Sequence, residues 1–262
     1  MRDQTKRQPI SIEPIPILET NYVWALHDGQ QAVLVDPGRA DPPLQWLKDH
    51  SLTLAGLLIT HHHWDHTDGI DGILDVHQVP VYGPKDSRIP QVDHPLEEND
   101  SLQIEHPEFN LKILSVPGHT SIHLAFVGAD FVLCGDALFS AGCGRLFEGD
   151  AEQMQRSLDK LAALPGQTRV FCAHEYTLDN LRFALQVEPD NPDLNKRLEQ
   201  VVRMRRHKHI TLPSTIADEL SFNPFLRTRR PDVIAAAQRK KPGCGSKPHE
   251  IFGVIRSWKD KA

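Results

Sequence analysis

The chain has 262 residues, of which 39% are hydrophobic and 24% are charged, and this composition excludes a disordered, collagen-like or coiled-coil protein. Its length fits one large domain, or one large domain and one small one. The net charge of −6 argues against nucleic acid as the main partner, because nucleic-acid-binding domains are usually basic.

Short strands dominate the first 175 residues. Apolar runs bounded by turn residues predict the strands, and apolar residues at helical spacing predict the helices. The predicted strands are Ile10–Ile17, Tyr22–Leu26, Ala32–Val35, Leu54–Ile59, Val79–Tyr82, Leu111–Val116, Leu124–Val127, Phe131–Cys134 and Arg169–Ala173. The predicted helices are Pro42–His50, His66–Val76 and Asp150–Leu164.

After Glu175 the strand signals fade and helices are predicted. These helices are Leu178–Val187, Asp193–His207, Pro231–Gln238 and His249–Lys259. The change coincides with a change of charge, since residues 1–175 carry 12 basic and 25 acidic residues whereas residues 176–262 carry 17 and 10. The sequence therefore predicts a mixed α/β domain over residues 1–175 and a smaller, basic helical domain over residues 176–262.

The cysteines and the N-terminus bear on the compartment. The four cysteines form no C-x-x-C pair and are too few for a disulfide framework, which favours reduced thiols. The N-terminal segment lacks the apolar stretch of a signal peptide, and the longest apolar stretch, around Leu52–Ile59, is too short to span a membrane. We therefore expect a cytoplasmic protein that has no membrane partner.

The run HHHWDH directly follows a predicted buried strand. In an extended chain, His61 and His63 point to the same side and His62 to the other, so His62 is expected to be a bystander. Asp65 and His66 begin the next helix and can turn back toward the same point. Three imidazoles and a carboxylate within six residues are a ligand set for zinc or a similar divalent ion. The alternative is a surface histidine cluster without a function.

Three further residues of ligand type follow predicted strands: His119, Asp136 and His174. Open α/β sheets build their sites at the carboxyl ends of strands, so these residues are interpreted as ligands, and the other histidines, His123 among them, as ordinary. Five histidines and two aspartates are too many for one tetrahedral zinc and suit two divalent metals bridged by Asp136. Zinc is the first expectation, but iron and manganese also suit such ligands. Two metals can hold a hydroxide and polarise a carbonyl, which is hydrolytic chemistry.

This ordered set resembles the metallo-β-lactamase superfamily, and within it the chain resembles glyoxalase II, the hydroxyacylglutathione hydrolases. The HHHWDH run is typical of the whole superfamily, whereas later segments are specific to glyoxalase II. The matching segments are Asn21-Tyr22, Val35–Gly38, Thr60–Gly69, Pro117–Thr120, Gly135-Asp136, Ala141–Arg145, His174–Thr177, Phe222–Arg227 and Arg256–Lys259.

The resemblance implies an α/β fold, a four-layer αββα sandwich that carries a C-terminal helical domain. It also implies that a monomer hydrolyses S-(2-hydroxyacyl)glutathione thioesters such as S-D-lactoylglutathione, in methylglyoxal detoxification. The attacking group would be a hydroxide that bridges the metals and is oriented by the catalytic residues Asp65 and Asp136. The implied ligands are His61, His63 and His119 for one metal and Asp65, His66 and His174 for the other, with Asp136 shared.

The resemblance further implies that Arg145, Tyr176, Arg256 and Lys259 bind glutathione. Arg256 and Lys259 are three residues apart on a predicted helix and share a face; spacing alone favours a solvated surface, and only the resemblance favours binding. Family members often have Tyr where this chain has Phe147, so one hydroxyl contact with the substrate is expected to be missing.

Several alternatives stay open. Asp36 precedes a Pro-Gly turn, where it either supports the metal ligands or simply caps the turn. The competing functions within the superfamily are a persulfide dioxygenase with one iron, a lactonase and a β-lactamase. A metal-dependent module that binds thioesters without turnover is the alternative outside enzymes.

Overall fold

The structure is a computed structural model that describes residues 10–262. The described residues form two compact units, which divide between Lys112 and Ile113, so that the boundary falls inside one strand. The first domain predicted from the sequence starts at residue 1, and residues 1–9 lie outside the described range.

A six-stranded sheet with the order β1-β2-β3-β4-β5-β6 forms the framework of the first unit. Its strands are Ser11–Ile17, Asn21–His27, Gln31–Val35, Thr53–Leu58, Val81–Pro84 and His94–Leu96. The strands β1 to β3 are antiparallel, whereas β3, β4, β5 and β6 are parallel. Parallel strands are usually buried on both faces, which explains why the predicted strand at residues 54–59 is a continuous apolar run.

The helix predicted at His66–Val76 is wrong as a single element. The chain instead forms α2, Trp64–Thr67, and α3, Ile70–Leu74, which are separated by Asp68 and Gly69. A Cβ atom at Gly69 would lie 2.4 Å from the carbonyl oxygen of Pro37, to which the Gly69 N–H donates at 2.8 Å. The helical period of the sequence is therefore interrupted by a close approach of two backbone segments. The first helix of this unit, α1, spans Asp41–Asp49.

The strand β7, Ser101–Ile104, pairs with the first half of β8, Phe109–Ser115, in the first unit. In the second unit the order of strands is β14-β13-β10-β9-β8. Here β9 is Leu124–Val127, β10 is Phe131–Gly135, β13 is Arg169–Cys172 and β14 is Ser214–Thr215. The strands β10 and β13 are parallel, so the residues that follow them lie at the same edge of the sheet.

A short hairpin follows β10. Its strands, β11 (Leu138–Phe139) and β12 (Gly142–Cys143), are antiparallel. The helix α4, Ala151–Ala162, comes next, and its first turn is capped by Asp150 in a reciprocal capping box with Gln153.

The predicted helical part is confirmed after residue 175, with two differences. The helices are α5 (Thr177–Val187), α6 (Pro192–Arg206), α7 (Ile216–Phe222), α8 (Pro231–Lys240) and α9 (Pro248–Lys259). The helix α7 is capped by Thr215 but is too short for its periodicity to show in the sequence. The two-residue strand β14 was also missed, and it pairs with β13.

All four cysteines lie in the described part of the chain and none forms a disulfide, as predicted. Cys134, Cys143 and Cys172 are buried, and burial raises the pKa of each thiol. None of the helices within residues 10–262 combines the length and apolarity that crossing a bilayer requires.

Candidate metal and substrate site

The predicted ligands fall into two groups, four in the first unit and three in the second, and each group is described by itself. In the first unit the chain leaves β4 at Leu58 and continues without regular structure to α2. Nε2 of His61 lies 3.1 Å from Nδ1 of His63, so the two imidazoles face the same side, as the alternation of an extended chain predicts. His62 contacts a different partner, with its Nδ1 3.8 Å from Oδ2 of Asp86.

Asp36 holds this ligand segment from the end of β3. Its carboxylate accepts hydrogen bonds from the N–H of Thr60 at 2.8 Å and from Oγ1 of Thr60 at 2.7 Å. Nδ1 of His66 lies 3.0 Å from Oδ2 of Asp36, and Nδ1 of His61 lies 3.0 Å from Oγ1 of Thr60. These contacts assign the ring protons to Nδ1, so that Nε2 carries the lone pair that a metal requires. The contact with His66 favours the supporting role of Asp36 over a simple turn cap.

Asp65 is held by a residue that the sequence analysis did not single out as part of the site. Nδ2 of Asn21 donates to Oδ2 of Asp65 at 2.9 Å, and Nε2 of His66 lies 3.6 Å from the same oxygen. Gly38 packs against the backbone of Asp65 so closely that a Cβ atom would lie 1.8 Å from its carbonyl oxygen. Asn21 and Gly38 belong to matching family segments, but neither spacing nor residue type indicated that they contact Asp65.

The three ligands predicted in the second unit converge on Asp136. Oδ2 of Asp136 lies 3.4 Å from Nε2 of His119, and Oδ1 lies 3.3 Å from Nε2 of His174. All three residues are buried. Each carboxylate oxygen therefore faces a different imidazole.

His119 and Asp136 are oriented by neighbours within the same unit. Nδ1 of His119 donates to the carbonyl of Arg145 at 2.8 Å, which leaves the lone pair on Nε2. The N–H of Asp136 donates to Nε2 of His123 at 3.2 Å, while Nδ1 of His123 lies 3.1 Å from the carbonyl of Leu124. His123 is fully buried, and interpreting it as ordinary was incomplete, since it fixes the backbone of a predicted ligand. Only its position four residues after His119 could have suggested this.

The predicted substrate-binding residues also lie in the second unit. Tyr176 stacks on the His174 ring, with centroids 4.6 Å apart and an interplanar angle of 4°. Nε of Arg145 lies 3.3 Å from Oδ1 of Asp260. Phe147 is exposed and its ring meets the edge of His119 at 5.3 Å. The aromatic surface expected at this position is therefore present, and only the hydroxyl of the usual tyrosine is missing.

Arg256 and Lys259 lie on one face of α9, where Arg256 is buried and Lys259 is partly buried. Arg256 is 5% exposed, and its Nη1 donates to the carbonyl of Cys143 at 2.9 Å. Lys259 donates to Oδ1 of Asn180, and both cations lie over the ring of Phe225. Burial, and secondarily the nearby Arg256, lower the pKa of Lys259 to about 8. Arg256 is therefore buried and Lys259 partly buried, and both cations lie against the same aromatic ring.

The donor set suits divalent metal ions. It consists of imidazoles whose protons are fixed on the nitrogen away from the predicted ion, together with the carboxylates of Asp65, which the amide of Asn21 holds, and Asp136. Such mixed nitrogen and oxygen ligands are those of zinc, iron and manganese sites.

Two family models together match nearly the whole chain. The model described as the metallo-β-lactamase superfamily matches residues 18–174, and the one described as the hydroxyacylglutathione hydrolase C-terminus matches residues 175–262. A relative from Alkalilimnicola ehrlichii is 49% identical, and the alignment covers 96% of this chain and 99% of the relative. One from Nitrosomonas europaea is 45% identical, with 96% of each chain covered. Both relatives are named hydroxyacylglutathione hydrolase.

Solved structures show the same fold. The BLEG-1 B3 metallo-β-lactamase superimposes with a TM-score of 0.61 at 25% identity, covering 83% of this chain and 99% of the other. ETHE1 from Myxococcus xanthus superimposes with a TM-score of 0.64 at 22% identity, covering 96% and 98%. The predicted metallo-β-lactamase fold is thereby confirmed. Since both halves of the chain match and the relatives align from end to end, the chain belongs to the hydroxyacylglutathione hydrolase (glyoxalase II) family of the metallo-β-lactamase superfamily.

Proposed function

We propose that the protein hydrolyses S-(2-hydroxyacyl)glutathione thioesters, S-D-lactoylglutathione among them, to glutathione and a 2-hydroxy acid. This is the reaction that the names of relatives at 45% and 49% identity describe. Within the molecule, the observation that carries the proposal is the position of Asp136, which faces His119 with one oxygen and His174 with the other. Together with the four candidate ligands of the first unit, these three residues make seven donors, which are too many for one tetrahedral ion and suit two.

We assign His61, His63 and His119 to one metal and Asp65, His66 and His174 to the other, with Asp136 shared. Two divalent ions in these places would supply Lewis-acid polarisation of the thioester carbonyl and a water of lowered pKa. Zinc is proposed first, with iron and manganese as alternatives, and a related solved structure with 25% identity is described as di-iron-bound.

The protein's own groups hold the reactants. Asp65, fixed by Asn21, and Asp136, fixed by the His123 contact to its N–H, present carboxylates that accept hydrogen bonds from the attacking water. Because glutathione carries two carboxylates and one amine, its net negative charge is attracted to Arg256 and Lys259. The thiolate of glutathione leaves readily when the C–S bond of the thioester breaks, because an unperturbed thiol has a pKa of only about 8.5.

Residues 1–175 are proposed as the metal-binding domain and residues 176–262 as the substrate-binding domain, a division near the junction of the two family models. We also propose a monomer in the cytoplasm that has no nucleic-acid partner. Four reduced thiols, of which three are buried, suit a reducing compartment.

The experiment is to incubate the metal-loaded protein with S-D-lactoylglutathione and follow the loss of thioester absorbance and the release of thiol. Parallel samples contain a lactone or glutathione persulfide in place of the thioester. In the persulfide sample, an oxygen electrode follows the consumption of oxygen. The proposal predicts thioester hydrolysis far above lactone hydrolysis and no oxygen uptake. Oxygen uptake with persulfide and no thioester turnover would contradict the proposal and favour the dioxygenase.

A further inference from the structure

The hairpin formed by β11 and β12 and the two residues after it lie against all three predicted ligands of the second unit. The ring of Phe139 meets the imidazole of His174 at 5.7 Å. A Cβ atom at Gly144 would lie 2.0 Å from the carbonyl oxygen of Asp136 and 2.9 Å from Nδ1 of His119. The next residue accepts the hydrogen bond of that same Nδ1. The place of the hairpin therefore decides where these three side chains meet.

Side chains from the helical part hold the backbone of this hairpin. Nδ2 of Asn223 donates to the carbonyls of Phe139 at 3.1 Å and Gly142 at 2.9 Å. Nδ2 of Asn180 donates to the carbonyl of Ser140 at 2.9 Å. With the bond from Arg256 to Cys143 described above, the carbonyls of four of the six hairpin residues bind side chains that follow residue 175.

Glu219 is the centre of this set of contacts. It is fully buried on α7, and its Oε2 accepts from the N–H of Ala141 at 2.8 Å and from Nδ2 of Asn223 at 2.9 Å. Ala141 has a φ of +57°, a left-handed conformation that a non-glycine residue adopts only when its surroundings hold it there. Burial raises the pKa of the Glu219 carboxyl, because the charged form loses its contact with water. Placing a carboxyl here therefore lowers the stability of the fold more than placing an apolar side chain would, unless its hydrogen bonds serve a purpose.

We infer that Glu219 and Asn223 are positioning residues, which hold the β11–β12 hairpin so that His119, Asp136 and His174 converge for metal binding. The inference rests on the proposed function for the identity of the ligands. It gives the helical part a second role besides substrate binding, since its buried polar side chains set the geometry of the metal ligands. It also explains why a fully buried acidic side chain, far along the chain from the ligands, binds the backbone of the hairpin.

The test is a comparison of zinc affinities, measured by competition with a chromophoric chelator, together with KM and kcat for the thioester. Glu219→Ala removes both acceptor contacts, and we expect zinc affinity to fall by about tenfold, as for other groups that orient ligands indirectly. Glu219→Gln keeps an amide oxygen for Ala141 and Asn223, so its zinc affinity is expected to stay within about twofold of the original protein. The thioester KM is expected to change little in either variant.

Glu188→Ala is the matched control. Glu188 is also buried in the helical part, and the hydrogen bonds described for its carboxylate within residues 10–262, both of 2.8 Å, come from Arg227, which lies outside the hairpin. The Glu188→Ala variant should unfold at a lower temperature than the original protein and bind zinc with unchanged affinity. If Glu219→Ala does not fold, Asn223→Ser serves instead, with the same expected loss of affinity.

The outcomes separate the two proposals. If the unaltered protein binds zinc and turns over the thioester while Glu219→Ala, or the serine variant in its place, retains full zinc affinity, the positioning role is wrong and the proposed function stands. If Glu188→Ala weakens zinc binding as much as Glu219→Ala does, the effect is one of general stability and the inference is equally contradicted. If the unaltered protein neither binds zinc nor hydrolyses the thioester, both proposals fail together.

Discussion

Nδ1 of His66 donates its proton to Oδ2 of Asp36 across 3.0 Å, and both groups are buried. The same carboxylate binds the N–H and the hydroxyl of Thr60, so one side chain at the end of β3 fixes both ends of the ligand segment that follows β4. A histidine that is held in this way offers Nε2 in one orientation, which lowers the cost of ordering it around an ion.

Replacing Asp36 by Asn is therefore expected to weaken zinc binding by about 10- to 100-fold, because the amide cannot accept all three hydrogen bonds. The measurement is zinc affinity by chelator competition. Asp28→Asn is the matched control: Asp28 also directly follows a strand, and the hydrogen bonds described for its carboxylate within residues 10–262 come from the backbone N–H groups of Gln30 and Gln31, which are not predicted ligands. Equal losses of affinity in the two variants would contradict the role assigned to Asp36.

Gly144 has no room for a side chain. Since its Cβ atom would overlap the carbonyl of Asp136, Gly144→Ala should destabilise the fold by about 1–3 kcal/mol and reduce zinc affinity. Thermal unfolding and chelator competition measure the two effects. Gly166→Ala is the control, because its Cβ would lie 3.4 Å from that of Ala217, an ordinary contact. A Gly144→Ala variant with unchanged zinc affinity would show that the close approach to the ligands is unimportant.

Substrate binding should weaken as the pH rises past about 8, the lowered pKa of Lys259. The lysine loses its charge above this pH and no longer attracts the anionic thioester, so KM rises while the protein remains folded. KM between pH 7 and 9.5, corrected for spontaneous thioester hydrolysis, is the measurement. Lys259→Met should have a high KM at every pH and lose this dependence. A rise of the same size in Lys259→Met would assign the titration to another group.

The lowered pKa of Lys259 also makes the free energy of unfolding depend on pH. The pKa of Lys259 in the folded protein is about 8, below the value of about 10.4 for an unfolded chain. Between these values the unfolded chain binds more protons, so the contribution of Lys259 makes the free energy of unfolding rise with pH across this window. Below pH 8 Lys259 is charged in both states, and the burial of its charge then lowers the free energy of unfolding by its full amount. Lys259→Met, compared by denaturant unfolding at pH 7 and 9.5, should lack this increase.

Asp260 links two of the predicted substrate cations. Its Oδ1 lies 3.3 Å from Nε of Arg145 and 3.0 Å from Nη2 of Arg256. Asp260→Asn removes a negative charge that opposes the substrate, while Arg256 stays bound to the carbonyl of Cys143. We expect KM to fall by about threefold with kcat unchanged, as for a partly exposed ion pair. Asp232→Asn, at an exposed aspartate, is the control. If KM rises in Asp260→Asn and not in Asp232→Asn, Asp260 helps binding by holding Arg145 in place more than it hinders binding by its negative charge.

Local signals made nine of the strands and the family predictable, whereas the short strands β6, β7, β11, β12 and β14 were not predicted. His61, His119, Asp136 and His174 each follow a strand that its apolar run had indicated, and the alternation of an extended chain separated His62 from its neighbours. These features depend on a few adjacent residues, so the sequence carries them directly.

The groups that hold the ligands were not predictable in the same way. Asn21 contacts Asp65 across 44 positions in the chain, and Glu219 contacts Ala141 across 78. Such contacts depend on tertiary packing and leave no periodic pattern. The split of the predicted helix at Gly69 has the same origin, since it follows from a backbone approach to Pro37. His123 was missed because a buried histidine that supports a ligand has no signature of its own.

The most direct test of the dinuclear hydrolase is to strip the protein of metal and restore zinc stepwise while following S-D-lactoylglutathione hydrolysis. The account predicts that turnover is lost on stripping and returns to a plateau at two zinc ions per chain, with one thiol released per thioester consumed. Full turnover in the stripped protein, or none at two ions per chain, would contradict it.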